Sequence, residues 1–182
     1  VVVDIGCSTG KTLAAMYEQN KDFANNVNYR GIDYAEGFVA DMDSRMLEYP
    51  SLELTQEDVR DFRFENASLV TSLFTLQFMP RKDRQEVINR IYKGLNPGGA
   101  FIFGEKTYSC SSKVQDMLTF MHYDFKRESF SPEEIMDKEQ TLRNMLRPNT
   151  WTELSDMLKN AGFESVQTFW QNHLFVGAIA VK

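Results

Sequence analysis

Histidine and cysteine are scarce in this 182-residue sequence, which contains two of each. Cys7 and Cys110 show neither a metal-ligand spacing nor a disulfide framework. His122 and His173 are too few and too widely separated in the chain to suggest a zinc site. We therefore expect no metal centre, and free thiols are typical of the reducing cytoplasm, which is the expected compartment.

Long apolar runs and an excess of positive charge are also missing. No stretch reaches the roughly 18 apolar residues of a membrane-spanning helix, and no signal peptide is visible. The formal net charge of −6 argues against broad, non-specific binding to nucleic acid, which needs a basic field. The expected partner is therefore a small-molecule substrate, with no membrane and no nucleic acid indicated.

The length suits one domain with a substantial core, so we expect a single cofactor-binding domain over residues 1–182. The sequence begins at Val1, without a methionine, and enters a strand at once. We expect an N-terminal segment to precede it.

Short apolar runs alternate with amphipathic segments in the first part of the chain. The predicted strands and helices there are strands 1–5, 28–32, 52–56, 67–73 and 100–104, and helices 12–20, 35–47 and 81–93. Gly94 is expected to cap the last of these helices, and a tight turn is expected at 96–99. This alternation predicts right-handed βαβ units and a parallel sheet.

The second part of the chain breaks the alternation. Its predicted elements are helices 113–125, 132–145 and 151–161, the last capped by Gly162, then strands 166–170 and 174–181 joined by a short polar turn. A terminal hairpin on a parallel sheet predicts an α/β, Rossmann-like, seven-stranded methyltransferase fold. In that fold the sheet is mostly parallel with an antiparallel terminal strand, and helices cover both faces.

The first predicted strand runs into a loop that contains Gly6, Cys7, Ser8 and Gly10. We expect backbone N–H groups to approach a ligand here, and the two glycines to leave room where a cofactor passes. A plain strand–turn–helix connection is the alternative. Cys7 has no histidine–acid partner in the sequence and is read as a small loop residue rather than a nucleophile.

Acidic residues follow the next two strands. Asp33 is expected to accept hydrogen bonds from ribose hydroxyls, with a helix N-cap as the alternative. Asp58 is expected to accept a hydrogen bond from an adenine amine while Val59 lies on the ring, with a solvated turn acid as the alternative. Candidate binding residues therefore follow three successive strands. Together they predict one ligand that lies across the crevice at the carboxyl edge of the sheet.

A dinucleotide enzyme is the competing interpretation of these strand ends. It would have G-x-G-x-x-G in the first loop, whereas Gly6 is followed by Cys7, Ser8 and Thr9 before Gly10. The order of elements also matters. This chain has a helix, then the string from Gly94 to Gly99, then a strand, which is the arrangement before strand five of class I methyltransferases.

Longer strings carry a narrower resemblance that covers nearly the whole chain. They are Gly6-Cys7-Ser8, Asn66-Ala67-Ser68, Phe74 through Phe78, Ile91-Tyr92, Gly94 through Ala100, Glu105-Lys106, Met121-His122 and Asp124-Phe125-Lys126-Arg127. These strings resemble the bacterial carboxy-S-adenosyl-L-methionine synthases. The resemblance implies S-adenosyl-L-methionine (SAM) as cofactor, prephenate as carboxyl source and a product used by a separate enzyme in tRNA wobble-uridine modification. It also suggests a homodimer.

The family's cofactor contacts carry over at most positions. The implied contacts are the backbone loop at Gly6, Cys7 and Ser8, the ribose pair Asp33 and Tyr34, the adenine pair Asp58 and Val59, and the positions of Leu73 and Phe74. Leu73 departs from the pattern, because the family has asparagine before its Phe-Thr-Leu-Gln-Phe string.

A second departure affects the predicted reaction. Where the family has an arginine that pairs with the added carboxylate, this chain has Glu139, which would repel that group. Arg143 lies one helical turn further on and is the candidate replacement. His122, Tyr123 and Arg127 are the other substrate candidates, with a satisfied helix-face histidine and a solvated charged face as the alternatives.

Three functions therefore stay open. The first expectation is a SAM-dependent methyltransferase acting on a small molecule that the sequence does not identify, with a nucleic acid or a protein as the alternative acceptor and no general base assigned. The second is a carboxy-SAM synthase with altered carboxylate recognition. The third is a domain that binds SAM without chemistry.

Overall fold

A computed structural model describes residues 1–23 and 26–182. The strands and helices, in chain order, are β1 (Val2–Ile5), α1 (Lys11–Asn20), β2 (Tyr29–Asp33), α2 (Val39–Glu48), β3 (Leu52–Gln56), β4 (Ala67–Leu73), α3 (Arg81–Gly94), β5 (Leu95–Tyr108), α4 (Ser112–Arg127), α5 (Pro132–Arg143), β6 (Asn149–Thr150), α6 (Trp151–Ala161), β7 (Ser165–Asn172) and β8 (Phe175–Val181). Among the residues described, no helix is both long and apolar enough to cross a membrane.

The sheet has the strand order β3-β2-β1-β4-β5-β8-β7, and the short β6 pairs with the end of β5. The first five strands in this order are parallel, whereas β8 is antiparallel to both of its neighbours, β5 and β7. This confirms the predicted fold, including the reversed last strand. It also brings the carboxyl ends of β1 to β5 to one edge.

Two apolar cores cover the two faces of the sheet. One contains Val70, Phe101 and Phe103 with residues of α3 and α6, and the other contains Leu13 and Tyr29 with residues of α2. Each fully buried side chain of this size contributes about 1.5–3 kcal/mol, so the two cores together hold the strand ends in place.

Local capping residues define several helix ends. The side chains of Ser131 and Thr150 form capping boxes with Glu134 and Glu153 at the starts of α5 and α6. Gly162 ends α6 with a left-handed φ of 113°, as the sequence predicts.

The predicted turn at 96–99 instead lies inside β5, which is longer than expected. Ala67 pairs with Leu95 and Leu69 pairs with Ala100, so β5 forms a wide bulge opposite β4. The backbone of Lys182 holds this bulge in place. Its carbonyl accepts from the Gly98 N–H at 2.9 Å, and its N–H donates to the Gly99 carbonyl at 3.0 Å. The contact joins distant parts of the chain, which local turn signals do not report.

Gly94 also has a different role from the predicted cap. It is the last residue of α3, and the chain passes directly into an extended Leu95, with φ −69° and ψ 139°. A Cβ atom at position 94 would lie 2.1 Å from the carbonyl oxygen of Phe64. The glycine is therefore needed for close packing of α3 against the segment before β4.

Gly94→Ala is expected to lower the free energy of unfolding by about 1–3 kcal/mol, because the added methyl group overpacks a backbone contact. Urea unfolding followed by circular dichroism measures the change. Gly37→Ala is the control, since a Cβ atom there meets nothing within 4 Å. Equal effects of the two substitutions would contradict this account.

Candidate active site

The ends of the first three strands are joined by hydrogen bonds to one residue, Asp33. Its Oδ2 accepts from the Ser8 N–H at 2.9 Å, and its Oδ1 accepts from the Ala35 N–H at 2.9 Å. Its backbone carbonyl accepts from the Glu57 N–H at 3.0 Å. The loops after β1, β2 and β3 therefore meet at one point of the carboxyl edge, as the sequence predicts.

The loop after β1 is closely packed, and its glycines make that packing possible. Gly6 has a φ of 70°, and a Cβ atom there would lie 2.1 Å from Oγ1 of Thr75. The Thr75 hydroxyl donates to the Ile5 carbonyl at 3.0 Å, which ties the loop after β4 to β1. Gly10 has a φ of 73°, and a Cβ atom there would lie 2.6 Å from Cδ1 of Leu54. Both glycines are therefore needed for close packing inside the protein, and their expected contact with a cofactor stays a prediction.

The predicted N–H donors of this loop already have partners in the protein. The Gly6 and Cys7 N–H groups donate to the Ile32 carbonyl at 2.8 and 3.0 Å, and the Gly10 N–H donates to the Cys7 carbonyl at 2.9 Å. Burial and the nearby Asp4 raise the pKa of the Cys7 thiol to about 12. Cys7 is therefore a neutral packing residue at neutral pH.

Asp58 makes an ion pair that the sequence analysis did not anticipate. Arg60 Nη2 lies 2.6 Å from Asp58 Oδ2, and Arg60 Nη1 lies 3.2 Å from Asp83. The hydrogen bonds from Arg60 lower the pKa of Asp58. The adjacent Val59 is half-buried against the larger core. Asp58 lies at the end of β3 as predicted, with its charge neutralised.

Large apolar side chains are exposed at this edge. Tyr34, Leu73 and Phe74 are 74%, 42% and 40% exposed, which is unusual for side chains of this size beside a strand end. Phe74 has a φ of 60° and donates its N–H to the Gly104 carbonyl at 2.7 Å. The left-handed backbone of Phe74 turns the chain at the end of β4, next to Gly104 of β5, and leaves apolar surface at the carboxyl edge.

Two buried acids support the edge from below, and the sequence analysis assigned them no role. The carboxylate of Asp4 accepts from the Thr71 hydroxyl at 2.6 Å, and burial raises its pKa to about 6. Glu105 accepts from the N–H groups of Leu76 and Gln77 at 2.9 and 2.8 Å. Burial raises the pKa of Glu105 to about 8 despite these bonds. The sequence signal that could have identified both residues is an acidic residue inside an otherwise apolar strand.

The substrate candidate His122 lies in an aromatic cluster above the edge. Its ring centroid is 5.4 Å from that of Phe175 and 5.6 Å from that of His173. Phe175 also packs edge-on against Phe74, at 5.7 Å. Burial, Lys126 and Lys106 lower the pKa of His122 to about 4, so its imidazole is neutral at pH 7.

The other substrate candidates divide into two groups. Glu139 Oε1 lies 3.3 Å from Lys126 Nζ, and the nearby Tyr123 has a pKa raised by burial and by Glu139. Arg127 does not join this group, because it is exposed and pairs with Asp124 on the same helix at 3.2 Å. Arg143 is exposed, although its charge reaches Tyr123.

Comparison with a family model described as a methyltransferase domain gives a match over residues 2–99, more than half of the chain. The matched region contains β1 to β4 and the loops that meet at Asp33.

Two curated relatives match the whole chain. The carboxy-S-adenosyl-L-methionine synthase of Staphylococcus epidermidis is 39% identical over 186 residues, covering 100% of this chain and 78% of that protein. The enzyme of the same name from Shewanella halifaxensis is 34% identical over 185 residues, covering 100% of this chain and 75% of that protein.

A solved structure with the same fold is human N-acetylserotonin methyltransferase in complex with SAM. It matches with a TM-score of 0.64 at 15% identity, and the match covers 100% of this chain and 47% of that one. At this identity the likeness shows the fold alone.

Glu105→Gln is expected to change how stability depends on pH. Folding raises the pKa of Glu105 from 4.5 to about 8, so between these values the folded state binds more protons than the unfolded state. The free energy of unfolding therefore falls as pH rises through this window, by at most about 1.4 kcal/mol per pH unit.

The Glu105→Gln protein lacks this dependence on pH. Urea unfolding at a series of pH values between about 5 and 8 measures the free energy of unfolding of both proteins. Glu164→Gln, at an exposed position, is the matched control. The assignment fails if the Glu105→Gln protein loses stability with pH as steeply as the unaltered chain.

Proposed function

This chain belongs to the carboxy-S-adenosyl-L-methionine synthase family of class I SAM-dependent transferases, and from that premise we propose that it converts SAM into carboxy-SAM with prephenate as the carboxyl donor. The full-length similarity to the two synthases supports this proposal. The residues at the carboxyl edge supply its physical basis.

We assign the adenosyl group to the edge formed by the loops after β1 to β4. Each carboxylate oxygen of Asp33 accepts one backbone N–H, which leaves lone pairs for the ribose hydroxyls. The exposed side chains of Tyr34, Leu73 and Phe74 offer apolar surface to the base or to the sulfonium end. Both oxygens of Asp58 accept hydrogen bonds from Arg60, so an adenine amine at this position would have to share the carboxylate with Arg60.

One observation carries carboxyl transfer over ordinary methyl transfer. The negative charge of Glu139, which in the sequence analysis argues against a carboxylated product, is paired with Lys126 at 3.3 Å. Both side chains are 21% exposed, so the pair is largely shielded from solvent. A glutamate paired in this way repels a nearby carboxylate less strongly, which weakens the objection that its charge raises against the family's reaction.

The proposed reaction balances without a further reactant. Bound SAM supplies a methyl carbon activated by the adjacent sulfonium. Prephenate loses its ring carboxyl group and its ring hydroxyl group as the ring becomes aromatic, which yields phenylpyruvate. The carboxyl carbon forms a bond to the methyl carbon, and the methyl proton leaves with the hydroxyl group as water. The chain contributes alignment and exclusion of water, with Glu105 holding the turn after β4 in place.

Methyl transfer to a small-molecule acceptor is the second candidate. It is favoured by two positions that depart from the family pattern, Leu73 in place of asparagine and Glu139 in place of arginine. A domain that binds SAM without turnover is the remaining alternative.

Incubation of the protein with SAM and prephenate is expected to give a product heavier than SAM by one carboxyl group in place of a hydrogen, together with phenylpyruvate. Liquid chromatography with mass spectrometry detects both compounds. Formation of S-adenosylhomocysteine with a methylated acceptor would favour methyl transfer instead. SAM binding without any product would favour the non-catalytic domain.

Asp33→Asn is expected to weaken SAM binding by about tenfold or more, because hydrogen bonds to a charged acceptor contribute about 1.5–3 kcal/mol. Isothermal titration calorimetry measures the affinity, and circular dichroism checks that the loops still fold. Asp43→Asn, at an exposed position on α2, is the matched control. Unchanged SAM affinity in the Asp33 variant would remove this residue from the site.

A further inference from the structure

We propose that Lys106, Lys126, His122 and His173 form a subsite for a carboxylate of the substrate, a small cyclic or aromatic acid. This inference rests on the proposed function and deepens it, because it states how the donor is recognised. The four residues come from β5, α4 and the β7–β8 turn, and the sequence analysis did not bring them together.

Unpartnered polar atoms identify the place. The Nδ1 atoms of His122 and His173 are buried, and neither has a hydrogen-bond partner among the residues described. Buried ring nitrogens without partners are uncommon in folded proteins, and each costs free energy unless a ligand or water satisfies it. The two rings lie 5.6 Å apart, centroid to centroid, so the two unpartnered nitrogens belong to one cluster.

The charges around these rings favour an anion. Lys106 makes no ion pair within the described part of the chain, and its Nζ lies 6.0 Å from the Phe175 ring centroid. Lys126 is paired with Glu139, an acid that acts on His122. Two ammonium groups and one carboxylate leave one net positive charge beside the neutral imidazole of His122, in a protein whose overall charge is −6. An anion would complete the local charge balance, whereas a cation would be repelled.

Apolar surfaces around the charges indicate what the anion is attached to. His122 lies against the Phe175 ring, and His173 lies 5.9 Å from that of Phe125. Phe125 and Phe74 are 51% and 40% exposed, so aromatic surface is open beside the histidines. A flat apolar group can pack against such rings. The ligand class is therefore a carboxylate on a flat, apolar body.

The subsite is continuous with the proposed cofactor edge. Phe175 contacts both His122 and Phe74, so one aromatic ring separates the histidine pair from the residues assigned to SAM. A carboxylate bound at the cluster would place the rest of its molecule within reach of that edge.

Nuclear magnetic resonance of protein with isotope-labelled histidine tests the subsite directly. The chain contains only two histidines, His122 and His173, so every imidazole signal reports on the cluster. Prephenate, added in the presence of S-adenosylhomocysteine to prevent turnover, is expected to shift both signals. It is also expected to raise the pKa of His122 from about 4 by about one unit or more, because a bound anion offsets the two lysines.

Two variants and a control sharpen the test. Lys106→Gln and Lys126→Gln are each expected to weaken prephenate binding about tenfold, read from the same signals, while SAM affinity stays within about twofold. Lys113→Gln, at an exposed position on the same helix as Lys126, is expected to change neither. The imidazole signals also report whether each variant is folded.

The outcomes separate this inference from the proposed function. Histidine signals that do not move with prephenate, or that move equally in both lysine variants and the unaltered chain, would overturn the subsite. Signals that move without formation of carboxy-SAM would support the subsite and contradict the proposed reaction. Phenylpyruvate serves as a second probe, and shifts with it would extend the subsite to other aromatic carboxylates.

Discussion

The carboxyl edge of the sheet depends on the hydrogen bonds of Asp33. One oxygen of its side chain holds the loop after β1, the other holds its own loop, and its backbone carbonyl holds the loop after β3. Thr75 adds the loop after β4 through the Ile5 carbonyl. Because these bonds are internal, the edge is formed before any ligand arrives, and a ligand that binds there does not have to order it.

Electrostatics divide the site into two layers. Below the edge, Asp4 and Glu105 have raised pKa values because they are buried, and they act through hydrogen bonds to the neighbouring strand and turn. Above it, Lys106 and Lys126 lie near the neutral His122 and leave a local positive charge. A positively charged group at a partly buried site attracts anions more strongly than it would in water. The overall acidic character of the chain conceals this local feature.

Sequence reasoning located the strand ends well and the side-chain partners less well. Asp33 and the loop around Gly6 and Ser8 are where the alternation of strands and helices placed them. The ion pair of Asp58 with Arg60 was missed, although Arg60 is two residues away, because short-range charge pairing in loops has no fixed spacing. Arg127 lies apart from the cluster around Lys126, because adjacent helix positions point to different sides, and it pairs with Asp124 there. Its role toward a substrate stays a prediction.

The order of strands and helices, the cap at Gly162 and the acidic residues after successive strands were determined by the sequence alone, because they follow from local periodicity and turn chemistry. The pairing of Glu139 with Lys126 and the surroundings of His122 and Lys106 were decided only by the tertiary structure. Those contacts join β5, α4, α5 and the terminal turn, which lie far apart in the chain. Burial and charge at such a place are sums over non-local neighbours, and no window of sequence contains them.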